Sequence, residues 1–135
     1  NLTSLIKGEG KSFRWEGEYK KNDLNTALTL ATELGVLVGF VPQVADHQRS
    51  IRNVFLANID PDIQMGLLEK MNKPKLIGLD SMNLWINTKR TSLIRLMKKV
   101  DLFVANEGEA KAISGEQNLI KAAKALRKIG SIPLM

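Results

Sequence analysis

The sequence contains no cysteine, which excludes disulfide bonds and thiolate metal sites. This composition is compatible with a cytoplasmic protein, the compartment that we expect. The only histidine is His47, so a zinc site built on paired histidines is not indicated either. Aromatic residues make up 5% of the chain, too few to suggest a stacking platform for nucleic acid.

Long apolar runs are also missing. No stretch approaches the roughly 20 apolar residues that span a bilayer, so we expect no membrane partner. The 135 residues are enough for about one domain with a substantial core. The net charge of +6 would help any anionic partner. The lysines, however, are scattered along helix-like stretches such as "LMKKV" and "KAAKALRK", which indicates solvated helix faces.

Residues 1–48 have a β-like pattern. Residues 13–19 alternate between the two faces of a strand, and Lys21, Asn22 and Asp23 supply a turn. The stretch 26–32 could form either a strand or a helix. We predict that residues 36–41 form a buried strand ending at Pro42.

Residues 49–135 have a different pattern, in which apolar strands alternate with helices. Asp60 is a predicted N-cap with Pro61 at the first helical position, and Gly115 separates two later helices. Apolar strands separated by helices are typical of a parallel sheet with helices on both faces. We therefore predict an α/β fold. Asn1 carries no cap or turn signal and Met135 falls within a predicted strand, so we expect the chain to be incomplete at both ends.

Polar residues follow each of the first three strands of this second region. They are Asn58 and Asp60, Asp80 and Asn83, and Asn106 and Glu109. In an open parallel sheet, ligands bind outside the carboxyl ends of the strands, where helix N-termini favour phosphate. Carboxylates beside a phosphate imply a cation, and oxygen ligands point to Mg²⁺. The pattern predicts a nucleotide–Mg²⁺ edge.

A purely structural interpretation stays open beside this one. Asn106 with Glu109 three residues later matches a capping box, with Asn in place of the usual Ser or Thr. Asp80 and Asn83 could simply build a turn.

Four segments, in the order in which they occur along the chain, resemble the ribokinase-like (PfkB-type) carbohydrate and nucleoside kinases. The last of them, "NEGEA", is similar to the N-x-x-E motif of that family, and the one before it, "LDSMNLW", is similar to its D-x-x-N segment. "FLANIDPDIQ" and "FRWEGEY" resemble stretches of a subgroup of sugar kinases. The resemblance covers nearly the whole chain, but each motif is short.

The resemblance implies a ribokinase-like core with part of a small β lid that closes over the acceptor. It also implies ATP and Mg²⁺ as cofactors and a sugar or nucleoside as acceptor, without nucleic acid, and the lid is a candidate homodimer interface. Its candidate lid residues, which would contact the acceptor or support the lid, are Arg14, Trp15 and Tyr19. The residues implied at the phosphate and metal are Asn106 and Glu109, with Glu109 reaching Mg²⁺ through water. Asp80 and Asn83 would lie beside the path of the phosphate.

The chain departs from the family in lacking its G-A-G-D segment, which provides the catalytic aspartate and the anion hole. We therefore assign no catalytic residue. The resulting hypothesis is a fragment of an ATP-dependent kinase that phosphorylates a hydroxyl of a sugar or nucleoside and is inactive alone. One alternative is a non-catalytic nucleotide- or anion-binding module. The other is a nucleic-acid binder, which only the net charge suggests.

Overall fold

The protein is represented by a computed structural model that describes residues 4–130 and 132–134. An antiparallel hairpin comes first, formed by β1 (Arg14–Lys20) and β2 (Asp23–Glu33). Strands and helices alternate after it. They are β3 (Asn53–Leu56), α1 (Pro61–Leu68), β4 (Leu76–Asp80), α2 (Asn83–Thr88), α3 (Arg90–Met97), β5 (Leu102–Val104), α4 (Glu107–Ser114), α5 (Leu119–Arg127) and β6 (Ile132–Leu134).

The four later strands form one parallel sheet in the order β3-β4-β5-β6. The predicted α/β class is therefore confirmed for the described residues. Because all four strands run the same way, the carboxyl ends of β3, β4 and β5 meet at one edge of the sheet. This edge brings together the turns that follow the three strands.

Helices cover one face of this sheet. Leu56, Leu79 and Phe103 are adjacent in register on that face and are at most 4% exposed. They form a single apolar core with buried side chains of α2, α3, α4 and α5. Burial of this face, at about 25 cal/mol per Å² of apolar surface, is the main source of stability for this part of the chain.

The other face carries side chains that remain open to solvent. Phe55 and Leu76 lie there and are 58% and 43% exposed, and Val104 is 39% exposed. The prediction of helices on both faces is thus wrong for the described part of the chain. The strand order gives the reason. When successive parallel strands are added in one direction, crossovers of the usual right hand all place their helices on the same side.

The segment after the hairpin also differs from its prediction. Residues 36–41 do not form a buried strand, since Gly35–Leu37 is a 3₁₀ turn and Val38 is 72% exposed. Gly35 has a φ of +53°, and a β-carbon there would lie 2.1 Å from the carbonyl oxygen of Lys11. Only glycine fits this turn, which ends the extended backbone of β2. The ambiguous stretch 26–32 is strand, as part of β2.

The connection from β4 to β5 contains two helices, α2 and α3. Lys89, with a φ of −131°, separates α2 from α3. Within the described residues, no helix is long and apolar enough to cross a bilayer.

Candidate functional site

A cavity of about 370 Å³ lies between the hairpin and the carboxyl edge of the parallel sheet. The hairpin and the segment after it contribute Phe13, Trp15, Tyr19, Thr29, Leu34 and Leu37. The sheet edge contributes the polar residues Asn58, Asp60, Asn83, Asn106 and Glu109. The charged and amide groups of the cavity therefore all lie at the sheet edge, whereas the hairpin side is mainly apolar and aromatic. The sheet edge also contributes apolar residues, namely Ile59, Ile63, Met82 and Trp85.

The hairpin wall is formed by the face of β1 that carries Trp15. The Trp15 indole Nε1 donates a hydrogen bond of 3.1 Å to Oγ1 of Thr29 on β2. Tyr19 lies farther along the same strand and is 54% exposed. Two of the three predicted lid residues, Trp15 and Tyr19, thus line the cavity.

Arg14 lies on the opposite face of β1. Its guanidinium pairs with the carboxylates of Glu16 and Glu33, the latter at 3.2 Å, and these charges raise the pKa of Arg14. Arg14 does not line the cavity. Of its two predicted roles, support of the hairpin agrees with this geometry and contact with an acceptor does not.

The turn after β3 places Asn58 and Asp60 in the cavity wall. The buried Gln64 side chain fixes this turn, because its Nε2 donates to the carbonyl oxygens of Leu56 and Ala57 at 3.1 and 3.0 Å. The Asn58 Oδ1 atom accepts a hydrogen bond of 2.9 Å from the Trp85 indole. Trp85 is 6% exposed, and it also lines the cavity.

Asp60 acts as the predicted N-cap of α1, since its Oδ1 accepts from the backbone N–H of Asp62 at 2.9 Å. The ammonium of Lys89 lies 2.8 Å from a carboxylate oxygen of Asp60 and 2.8 Å from one of Asp62. The hydrogen bond from Lys89 is the main reason that the pKa of Asp62 is lowered. The charge of Asp60 is thus compensated at the base of the cavity.

The capping box at the start of α4 is confirmed. The Asn106 Oδ1 atom accepts from the backbone N–H of Glu109 at 2.9 Å, and Glu109 Oε2 accepts from the backbone N–H of Asn106 at 3.0 Å. Both side chains also line the cavity. The sequence leaves a capping role and a binding role as alternatives, but in the structure the same two residues cap the helix and line the cavity.

A second carboxylate lies near this cap. Asp80, at the end of β4, has an Oδ1 atom that is buried and lacks a hydrogen-bond partner among the described residues. Burial raises the pKa of Asp80, and hydrogen bonds from backbone N–H groups, including that of Asn58, oppose the rise. Burial likewise raises the pKa of Glu109, and the nearby charge of Asp80 raises it further.

Asn83 is the first residue of α2, whose preceding cap position, Met82, makes no side-chain capping bond. Asn83 lines the cavity, whereas Asp80 is not among its lining residues. Of the six residues predicted at the sheet edge, the structure therefore brings all but Asp80 to the cavity wall, namely Asn58, Asp60, Asn83, Asn106 and Glu109.

Sequence reasoning missed several cavity residues. Thr29 is the clearest case, because its role depends on a cross-strand pairing with β1 that no local pattern contains. Leu37 was missed because residues 36–41 were predicted as a buried strand, and Leu34 was missed because the turn at Gly35 that follows it was not predicted. The alternation of small side chains along β2, Ala27 and Thr29 on one face, was the available signal for the inner surface of the hairpin.

The described residues contain no group of three or more histidine, aspartate or glutamate side chains arranged to hold a metal ion. The carboxylates of Asp80 and Glu109 remain as a pair. This donor set fits Mg²⁺, which is commonly held by one or two carboxylates with water and phosphate oxygens completing its shell.

No protein-family model matches this chain, and no curated protein matches it.

Proposed function

We propose that this chain forms the acceptor side of a phosphoryl-transfer site in an ATP-dependent kinase. The cavity would bind an alcohol, a sugar or a nucleoside, between the hairpin and the sheet edge. The polar edge would face Mg²⁺ and the transferred phosphate of ATP. Because the G-A-G-D segment is absent from the sequence, we expect binding by this chain without turnover.

The observation that carries this proposal is the composition of the cavity's two sides. Aromatic and apolar side chains on the hairpin suit the ring of an acceptor, and the amides of the sheet edge suit its hydroxyl groups. The acceptor and the phosphate would meet where the two sides face each other. Holding two reactants in one such geometry is, with electrostatic stabilisation, one of the two main contributions that a protein makes to phosphoryl transfer.

Two side chains would hold Mg²⁺ at this edge, Asp80 and Glu109. Asp80 offers its unpartnered Oδ1 atom, and Glu109 would reach the ion through water while its Oε2 remains in the cap. When bound, Mg²⁺ would neutralise charge on the phosphate oxygens. Mg²⁺ would also relieve the repulsion between the two carboxylates. Together with burial, this repulsion raises the pKa of Glu109 when no ion is bound.

Asn106 would support the phosphate side in two ways. Its side chain fixes the first turn of α4, whose free N–H groups and partial positive charge favour an anion. Its capping bond with Glu109 also limits the orientations of that carboxylate.

Two asparagine caps provide a matched test. Asn106 caps α4 beside the cavity, and Asn118 caps α5 away from it, with its Oδ1 accepting from the N–H of Lys121 at 3.1 Å. Replacing either asparagine by alanine should lower the free energy of unfolding by about 1 kcal/mol, the usual cost of a lost N-cap. Only Asn106→Ala should weaken binding of Mg²⁺ with a non-hydrolysable ATP analogue, by about tenfold, the effect of losing about 1.4 kcal/mol.

Isothermal titration calorimetry would measure this binding, and urea unfolding would measure stability. If both variants lost stability equally and bound the Mg²⁺–nucleotide as well as the unaltered chain does, Asn106 would be a cap alone. Absence of nucleotide binding by the unaltered chain would contradict the proposal.

A further inference from the structure

The Trp15 side chain lies over Gly17 of its own strand. A β-carbon on Gly17 would lie 2.2 Å from Cη2 and 2.4 Å from Cζ2 of the Trp15 ring, so the indole occupies the space above that glycine. The hydrogen bond to Thr29 fixes the other end of the ring. The absence of a side chain at Gly17 and the hydroxyl of Thr29 together give the indole one position.

Both indoles of the cavity have their polar N–H group engaged within the protein. Trp15 donates to Thr29, and Trp85 donates to Asn58. What the rings offer to a ligand is therefore carbon surface, which packs well on the C–H face of a saturated ring or on a planar base. Hydrogen bonds to the ligand must come from the polar edge of the cavity.

The charges around the cavity select against an anionic acceptor. No lysine or arginine is among the described residues that line it, whereas Asp60 and Glu109 both do. Lys89 pairs with Asp60 and Asp62, and Arg95 also pairs with Asp62, so the charge of Asp60 is compensated. Among the described residues, Glu109 has no such ion pair and carries most of the repulsion. A phosphate or carboxylate on the acceptor would approach these groups without a counter-ion, in contrast to ATP, which arrives with Mg²⁺.

We propose that the acceptor is an uncharged, hydroxylated ring compound whose apolar face packs on the Trp15 indole, and that Gly17 and Thr29 are the positioning residues for this indole. This inference rests on the proposed kinase function and specifies its acceptor. A sugar ring and a nucleoside share this chemistry. A sugar phosphate and an open-chain polyol do not.

Four ligands separate these features by saturation-transfer NMR and by titration of the two indole N–H signals. Ribose is the uncharged ring, and ribitol carries hydroxyls without the ring. Ribose 5-phosphate adds an anion, and adenosine adds a base. We expect ribose, adenosine or both to shift the Trp15 signal, which a Trp85→Phe variant assigns. We expect ribitol and ribose 5-phosphate to bind at least about tenfold more weakly, a difference of about 1.4 kcal/mol.

Two substitutions test the positioning residues. Thr29→Val keeps the shape of the side chain and removes the hydrogen bond, and Gly17→Ala displaces the ring. Each should weaken binding of the uncharged ring about two- to tenfold, because the freed indole must be ordered again on binding. Glu18→Ala is the control, since Glu18 is exposed on the same strand and does not line the cavity.

The difference in affinity between ribose and ribitol should become smaller in these two variants. A purely structural role of Thr29 and Gly17 would leave this difference unchanged. If Thr29→Val and Gly17→Ala left this difference unchanged, the role of the two residues would be overturned. If ribose 5-phosphate bound as tightly as ribose, or no uncharged ring bound while Mg²⁺–nucleotide did, the acceptor assignment would be overturned and the nucleotide edge would stand. If neither Mg²⁺–nucleotide nor any of the four ligands bound, the proposed function itself would be contradicted.

Discussion

Replacing Asp80 by asparagine should stabilise the chain in the absence of a cation. The Asp80 Oδ1 atom is buried and unpartnered among the described residues, and the nearby carboxylate of Glu109 repels it. Asparagine keeps a polar side chain there but carries no charge, so the gain comes from removing a buried, repelled charge, whose desolvation costs at least about 1–3 kcal/mol. Because the Asp80 residue as a whole is only partly buried, we expect a gain near the lower limit, about 1 kcal/mol at neutral pH.

The expected gain depends on pH. Burial raises the pKa of Asp80 and of Glu109 in the folded chain, so the folded state binds more protons than the unfolded state just above the ordinary carboxyl range. The free energy of unfolding should therefore fall as pH rises through this window, and the loss should be complete above the raised pKa values. Asp80→Asn removes one of the two titrating groups and the repulsion between them, so its stability should depend less on pH.

Magnesium should reverse the order of the two proteins. A cation that binds the folded chain at ten times its dissociation constant adds about 1.4 kcal/mol to the free energy of unfolding. The unaltered chain should gain this amount above the raised pKa values of Asp80 and Glu109, where both carboxylates are ionised, and much less below them. Asp80→Asn should gain little in either pH range, because one ligand is lost.

Urea unfolding followed by tryptophan fluorescence, with and without Mg²⁺, would measure these differences. Asp46→Asn is a suitable control, because Asp46 has a 96% exposed side chain in a surface turn. A large loss of stability in Asp80→Asn without Mg²⁺, or an equal response of both proteins to Mg²⁺, would refute the account of the carboxylate pair.

Two further predictions concern the exposed apolar side chains of the chain and the hydrogen bond of the buried Trp85. If the hairpin is a homodimer interface, Leu30→Glu should reduce self-association measured by light scattering, because it places a charge at a position that is 56% exposed. Phe55→Ser, on the open face of the sheet, should not reduce self-association. The opposite pattern would assign self-association to the sheet. Trp85→Phe should lower the free energy of unfolding by about 1 kcal/mol by breaking the bond to Asn58, and a variant as stable as the unaltered chain would show that this bond contributes nothing.

The local elements were largely predictable because their signals are local. Asp60 and Asn106 cap the helices at which the sequence placed them, and Gly115, with a φ of +77°, ends α4. Each of these residues acts on backbone groups within a few positions of itself. Apolar strands separated by such helices were then sufficient to predict that the strands of the sheet are parallel.

The features that were predicted wrongly or missed depend on residues that are distant in sequence. Which face of the sheet is covered follows from the order of the strands. The hydrogen bond from Trp15 to Thr29 follows from the hairpin register, in which Thr29 lies opposite Gly17. Residues 36–41 are as apolar as a buried strand, yet Gly35 turns the chain because the carbonyl of Lys11 approaches it closely. Apolar composition alone could not distinguish these outcomes.

The capping box and the candidate site occupy the same residues for a physical reason. A helix that begins directly after a parallel strand places its first turn at the ligand-binding edge of the sheet, so whatever caps that helix also faces the ligand. Glu109 can serve both purposes because the cap needs only its Oε2 atom. The cap restrains the carboxylate, and burial together with the charge of Asp80 makes ionisation of Glu109 costly, a cost that the proposed cation would relieve. A cap that served stability alone would have no need of the second carboxylate, so the unpartnered oxygen of Asp80 is the observation that favours a site at this edge.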